Sequence, residues 1–163
     1  MKELNTDFYI PLVTLKVCRE KLVPFGLDGR YNYPESIAKI GQTLIGDSDK
    51  ECMLVVNLDS QCYPVSVECI CVGRTNRANV ELRNVITSSL MSGGCCAIVL
   101  IHNHVSGGEI IPSNTDWNFT KRVMEACDFM GIQLLDHVIV NHKDFYSMKE
   151  NEKWEEMKNG SKC

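Results

Sequence analysis

Two histidines with one residue between them, His102 and His104, are followed along the chain by Ser113 and Asp116. The apolar run over residues 95–101 is rich in small and β-branched residues, which is typical of a strand buried on both faces. Because residues two apart on a strand point to the same side, we expect His102 and His104 to project together where this strand ends. The loop that follows is long enough to bring Asp116 to the same point. Two imidazoles and one carboxylate leave a fourth position open on Zn²⁺, which is the arrangement of a catalytic zinc site.

Ser113 and Asp116 also have the spacing of a helix start, with Ser113 as the N-cap and Asp116 three residues later. An H-x-H pattern also arises by chance in a chain that contains 4 histidines. The metal-binding and helix-capping interpretations of Ser113 and Asp116 are compatible, because a helix N-terminus can present side chains to a metal and its own N–H groups to an anion.

The composition is that of one ordinary globular domain. The 163 residues are 44% hydrophobic and 23% charged, which is enough apolar material for one sizeable core. The net charge of −4 and the pI near 5.6 argue against a general binder of phosphate backbones, which would carry a basic excess. We therefore expect weak or no direct DNA binding.

The sequence predicts neither export nor a membrane partner. No apolar run approaches the ~20 residues of a membrane span, and residues 1–7 lack the apolar core of a signal peptide. We therefore expect a cytoplasmic location. The 9 cysteines are odd in number and form no Cys-x-x-Cys pair, so we expect reduced thiols rather than a disulfide framework.

Hydrophobic periodicity and turn residues predict helices and strands in alternation. Helices are predicted over residues 34–45, 79–91 and 113–130, and strands over 51–58, 65–72, 95–101, 132–140 and 145–147. This alternation predicts an α/β fold, with a mixed sheet that carries helices on both sides.

The same pattern divides the chain into three parts. Residues 1–33 are predicted to form an N-terminal extension, with a strand over 12–17 and a loop over 24–33. Residues 34–150 contain the alternating elements and are predicted to be the main domain. Residues 151–163 are highly charged and predict a C-terminal tail that is a frayed helix or disordered.

The motifs together resemble a known family. Between Lys50 and Lys149 the sequence contains ECMLVVNL, then an HNH-x-SG…PS-x-x-D block, then LDHVIV, in the order and spacing of the RadC family. RadC proteins carry a JAB/MPN domain of the JAMM zinc metallopeptidase superfamily. The resemblance implies a cytidine deaminase-like fold, a three-layer α/β/α sandwich that holds one Zn²⁺ per chain.

The resemblance also assigns roles to individual positions. His102, His104 and Asp116 match the metal ligands. Glu51 matches the superfamily glutamate, which acts as the general base, and Ser113 matches the serine beside the metal, which would stabilise an oxyanion. Eleven residues separate His104 from Asp116, one more than the motif usually has. The implied activity is zinc-dependent hydrolysis of an amide or isopeptide bond in a peptide or protein substrate.

A second class of function stays open. The family's association with DNA repair implies an accessory factor in repair or recombination, whose zinc site would be structural or vestigial. The intact ligand set and Glu51 favour the hydrolase, and the acidic net charge disfavours DNA as the main substrate.

Three other polar residues near the motifs are expected to have supporting roles. Asn103 should point away from the ligands and orient the loop that follows the strand. His137 is expected to be a hydrogen-bonded core residue, although it or Asp136 could instead accept the N–H of a ligating imidazole.

Overall fold

The computed structural model describes residues 11, 13–14, 16–23, 29–31, 33–73, 80–104 and 109–160. Its helices are α1 (Pro34–Ile45), α2 (Leu82–Met91), α3 (Asn114–Phe129) and α4 (Glu152–Gly160), and its strands are β1 (Cys52–Leu58), β2 (Pro64–Val72), β3 (Ala97–Asn103), β4 (Gln133–Val140) and β5 (Phe145–Ser147). A 3₁₀ turn over Met148–Glu150 precedes α4. No helix in these segments is long and apolar enough to cross a membrane.

The five strands of the described residues form one mixed sheet in the order β2-β1-β3-β4-β5. Strand β1 lies antiparallel to both β2 and β3, β3 lies parallel to β4, and β4 lies antiparallel to β5. The parallel pair is connected through α3, which is the connection that parallel neighbours require. The mixed sheet predicted from the alternation of elements is confirmed.

Helices cover both faces of this sheet, which confirms the predicted three-layer α/β/α sandwich. On one face, α1 packs against β3 and β4, and its isoleucines, such as Ile37 and Ile40, belong to the apolar cluster on that face. On the other face, α2, α3 and α4 contribute Val85, Val123 and Trp154 to a second apolar cluster. Strands β1 and β3 are buried at every position because they lie between the two helical layers. This burial explains their continuous apolar sequences.

The N-terminal extension differs from the prediction. The strand expected over residues 12–17 is not present in the described part, because residues 13, 14, 16 and 17 lie in neither a helix nor a strand. Leu12 and Leu15 lie outside the described residues, as do 24–28 and 32 in the expected loop. Val13 is 70% exposed and Val17 is 57% exposed. The weak alternation was therefore a poor signal, since a strand needs a neighbour for its hydrogen bonds and a surface for its apolar face.

The charged C-terminal segment is helical, as one of the two predicted alternatives had it, but the helix is docked on the domain rather than frayed. Residues 152–160 form α4, and two of its side chains, Trp154 and Met157, are buried against the domain. These residues are three apart and therefore lie on one face of the helix. The Lys153 ammonium also lies 4.9 Å from the centre of the Trp117 ring of α3. Two apolar side chains at helical spacing thus dock a segment that is otherwise highly charged.

Replacing Trp154 with alanine should lower the free energy of unfolding by about 3–5 kcal/mol, the usual cost of removing a buried aromatic side chain. Trp154 is 3% exposed, so the substitution would leave a cavity under α4. Urea denaturation measures the change. Replacement of the exposed Glu156 by alanine is the control and should change stability by no more than about 0.5 kcal/mol. Wild-type stability of Trp154→Ala would mean that α4 is not docked.

Candidate metal centre

Three potential metal ligands converge at the carboxyl end of β3. One donor atom from each of His102, His104 and Asp116 lies within 4.8 Å of the other two. The Nε2 atoms of the histidines are 3.0 Å apart, Asp116 Oδ1 lies 3.5 Å from His102 Nε2, and Asp116 Oδ2 lies 3.8 Å from His104 Nε2. Tetrahedral ligands at zinc distances are about 3.3–3.5 Å apart, close to these separations. The three predicted ligands therefore form a group that could bind a metal ion.

Strand pairing directs His102 into this group. His102 pairs with Met53 of β1, so both side chains point to the face of the sheet that α3 covers. Its Nδ1 lies 2.8 Å from Nε2 of His137 on β4. Burial lowers the pKa of His102 to about 4, although the charge of Asp116 opposes this shift. His102 is therefore neutral at neutral pH, as a metal ligand must be.

His104 comes directly after β3 and is less buried than His102. Its Nδ1 lies 2.7 Å from the backbone carbonyl oxygen of Glu109. A carbonyl oxygen can only accept, so Nδ1 carries the proton, and in the neutral ring Nε2 has a free lone pair. The interaction with Asp116 is the main cause of the raised pKa of His104, while burial opposes it. The two histidines point to the same side, as strand alternation predicted.

Helix α3 begins at the site and supplies Asp116 from its first turn. Ser113 is the N-cap, and its Oγ accepts the N–H of Asp116 at 3.2 Å. In return, Asp116 Oδ2 accepts the N–H of Ser113 at 2.7 Å and its hydroxyl at 2.6 Å. This capping box confirms the helix-start interpretation. Burial would raise the pKa of Asp116, but its interactions with His104, His102 and Ser113 hold that pKa well below the usual value.

Glu51 lies beside the ligand group, immediately before β1. It precedes Met53 by two residues and so belongs to the face of the sheet that carries His102. A cleft of about 270 Å³ is lined by Glu51, His102 and Asp116, and by Thr115, Asn118, Phe119 and Arg122 of α3. The negative charge of Glu51 contributes to the raised pKa of His104, so these two side chains interact electrostatically. The predicted general base and two predicted ligands thus share one cleft.

Asn103 holds the backbone on either side of Glu51. Its Oδ1 accepts the N–H of Cys52 at 2.7 Å, and its Nδ2 donates to the carbonyl oxygen of Lys50 at 3.0 Å. Residues 105–108 of the loop that Asn103 was expected to orient lie outside the described part, and within that part its hydrogen bonds orient the start of β1. The reason is that β1 lies next to β3 in the sheet, and local sequence does not reveal strand order.

Two buried residues behind His102 extend the site. Nδ1 of His137 lies 2.7 Å from Thr120 Oγ1, and the Thr120 hydroxyl donates to the backbone carbonyl of Asp116 at 2.6 Å. The prediction that His137 is a hydrogen-bonded core residue is confirmed, and it also contacts His102. Sequence analysis missed Thr120. Its only signal is its position one helical turn after Asp116, which places both residues on the same face of α3.

Asp136 does not face the ligands, although it precedes His137. Its carboxylate accepts hydrogen bonds from the Ser147 hydroxyl at 2.7 Å, the Lys149 N–H at 3.1 Å and the Tyr31 hydroxyl at 3.3 Å. Burial raises the pKa of Asp136, and these hydrogen bonds from Ser147 and Lys149 partly offset that effect. Asp136 therefore ties Tyr31, the end of β5 and the 3₁₀ turn that follows it to β4, while His137 is the residue that contacts a ligand.

Comparisons with known proteins agree with this arrangement. The family model of the RadC-like JAB domain matches residues 31–154. A UPF0758 protein of Finegoldia magna is 40% identical over 119 residues, and one of Streptococcus sanguinis is 34% identical over 116 residues. These alignments cover 73% and 71% of this chain but 52% and 50% of the relatives, so the chain spans about half the length of the curated relatives it matches. The chain therefore belongs to the RadC family, whose JAB domain it carries.

Proposed function

We propose that the protein is a zinc-dependent hydrolase that cleaves peptide or isopeptide bonds in peptide or protein substrates. One observation carries the proposal: Glu51 lines the same cleft as His102 and Asp116. A side chain able to transfer protons thus lies beside ligands able to bind a metal. The described residues provide three metal ligands in this group, whereas a structural zinc is normally closed by four.

Zinc is the metal that this donor set favours. Two imidazoles and one carboxylate match catalytic zinc sites in ligand type and in number, with the fourth position left for water or substrate. When bound, Zn²⁺ would lower the pKa of a coordinated water toward about 7 and polarise the carbonyl of the scissile bond.

Glu51 is proposed to transfer the proton in this reaction. Its carboxylate would accept a proton from the attacking water and later donate it to the leaving amine. Such transfer needs a carboxylate held at a constant position. The hydrogen bonds of Asn103 to Cys52 and Lys50 support this role, because they fix the two peptide groups that flank Glu51.

Ser113 is proposed to act on the site through Asp116. Its hydroxyl and its N–H both bind Oδ2 of Asp116, which leaves Oδ1 directed at His102. Direct stabilisation of an oxyanion, the role that the resemblance implies, would require the Ser113 hydroxyl to leave Asp116 when substrate binds. Such a donor is typically worth about 3 kcal/mol in the transition state.

Cleavage of a complex substrate mixture tests the proposal. The zinc-loaded protein would be incubated with proteome-derived peptides and with isopeptide-linked conjugates, and new termini would be identified by mass spectrometry. Termini that arise with the wild-type protein and not with zinc-loaded Glu51→Gln support the hydrolase. Identical sets of termini in the two reactions would contradict it.

Duplex DNA should bind weakly, with a dissociation constant no lower than about 10⁻⁶ M at physiological salt. The expectation follows from the net charge of −4, which offers no general attraction to phosphates. Fluorescence anisotropy of a labelled duplex, measured across a salt series, provides the test. A sequence-specific complex that persists at about 200 mM salt would contradict the expectation and favour the accessory-factor function.

A further inference from the structure

We propose that Thr120 and His137 form a hydrogen-bond relay that fixes the tautomer of His102, so that His102 Nε2 presents a lone pair to the metal. The inference rests on the metal site of the proposed function but does not depend on the reaction. The relay is defined as the path from the Asp116 carbonyl through Thr120 and His137 to His102.

The relay consists of three short contacts in the core. Thr120 Oγ1 lies 2.6 Å from the carbonyl oxygen of Asp116 and 2.7 Å from Nδ1 of His137. Nε2 of His137 then lies 2.8 Å from Nδ1 of His102. Thr120 and His137 are both 0% exposed, so water does not compete for these hydrogen bonds. Parallel pairing of β3 with β4 places His137 opposite Leu100, two residues before His102 and on the same face.

The donor and acceptor of each hydrogen bond in the relay can be assigned by starting from the carbonyl oxygen of Asp116. A carbonyl oxygen can only accept, so the single hydroxyl proton of Thr120 points to Asp116. The sulfur of Met148 is 3.7 Å from the same hydroxyl and is a weaker acceptor. Because the hydroxyl proton of Thr120 is donated to Asp116, Thr120 Oγ1 acts toward His137 as an acceptor and receives its Nδ1–H.

A neutral His137 with its proton on Nδ1 has a lone pair on Nε2. No carboxylate lies within ion-pair distance of the His137 ring among the residues that the structure describes. A charged ring there would be buried without a partner. His137 Nε2 therefore accepts, His102 Nδ1 donates, and the proton is kept away from His102 Nε2.

The tautomers of the two histidine ligands are thus fixed by different hydrogen-bond partners. The Nδ1–H of His104 donates to the carbonyl oxygen of Glu109, which can only accept and so fixes that tautomer alone. The Nδ1 of His102 instead contacts the His137 imidazole, which can either donate or accept. Without Thr120, the His137 proton could move to Nε2, and His102 would then carry its proton on the nitrogen that must bind the metal. Thr120 removes this ambiguity.

A matched pair of variants tests the relay. Thr120→Val keeps the shape of the side chain but removes the hydroxyl, and it should weaken Zn²⁺ binding by about 10–100-fold, the usual effect of losing an outer partner of a ligand. Thr120→Ser keeps the hydroxyl and should bind Zn²⁺ as the wild-type protein does. Competition with a chromophoric chelator measures the affinities, and His104→Ala corrects for zinc bound by the cysteine thiols.

Nitrogen NMR of the metal-free protein reads the tautomers directly and separates the relay from a packing effect. The proton should be on Nδ1 of His102 in the wild-type protein and in Thr120→Ser, and should be shared with Nε2 in Thr120→Val. A proton on His102 Nε2 in the wild-type protein would overturn the proposal without any variant. Wild-type Zn²⁺ affinity in a folded Thr120→Val protein would also overturn it.

These outcomes are independent of the hydrolase proposal. If the tautomers and affinities are as expected but no substrate is cleaved, the relay stands and the proposed reaction is wrong. If Glu51-dependent cleavage occurs but Thr120→Val binds zinc normally, the reaction stands and the relay is wrong.

Discussion

Replacing Glu51 with glutamine should lower the rate of hydrolysis by about 10²–10⁴, the usual contribution of general acid–base catalysis, without changing the metal content. Glutamine keeps the size and the hydrogen-bonding ability of the side chain, but it cannot accept the proton of the attacking water. The decisive measurement is the rate and the zinc content of one and the same preparation. The melting temperature should change little, because Glu51 is only partly buried.

Glu68→Gln is the matched control for this experiment. Glu68 is an exposed glutamate on β2, on the strand next to β1, and its replacement removes the same charge at a distance from the ligand group. It should leave both rate and zinc content unchanged. If Glu51→Gln remains fully active with zinc bound, Glu51 is not the general base. If it loses zinc, Glu51 is a metal ligand, and the set of three is incomplete.

Replacing His104 with alanine should abolish both metal binding and hydrolysis. The wild-type protein should contain about one Zn²⁺ per chain, and the variant should bind Zn²⁺ more than about 100-fold more weakly. The reason for this magnitude is that even the loss of an outer hydrogen-bond partner costs about 10–100-fold, and His104 would supply a direct bond. Elemental analysis of protein purified without chelators measures the metal content.

His142→Ala is the control for loss of a histidine. His142 is exposed on the turn between β4 and β5 and is not part of the ligand group found among the described residues. Its replacement should leave the metal content and the rate as they are. A His104→Ala protein that still contains about one Zn²⁺ per chain, removable only by denaturation, would show that the metal is held elsewhere.

The local sequence pattern was enough to predict the parts of the site whose geometry depends on a single strand or helix. The alternation of side chains on β3 placed His102 and His104 on the same side, and their donor atoms do converge. The helix-start spacing of Ser113 and Asp116 was also sufficient, since a capping box involves residues three apart. These predictions depend on contacts within one strand or one helical turn, which a sequence shows directly.

Features that depend on strand order could not be predicted in this way. Asn103 binds the start of β1, and His137 contacts His102, only because β1 and β4 flank β3 in the sheet. The docking of α4 has the same cause: the burial of Trp154 depends on an apolar surface contributed by α3 and its neighbours. The prediction of a charged tail relied on composition, which does not show that the two apolar side chains of this segment lie on one face of a helix.

The use of both faces of β3 at the site has a consequence for insertions and deletions. One added or deleted residue within this strand would exchange the two faces, directing Asn103 toward α3 and the histidines toward α1. The metal ligands would then be lost, together with the hydrogen bonds from Asn103 that fix the backbone on either side of Glu51.

The connection from β3 to α3 tolerates changes in length, because the free-energy cost of closing a loop rises slowly with its length. It contains one residue more than the usual motif, and Asp116 still lies 3.8 Å from His104. Length variation among natural relatives should therefore occur between these two residues and be absent from the His-Asn-His triplet and the strand before it.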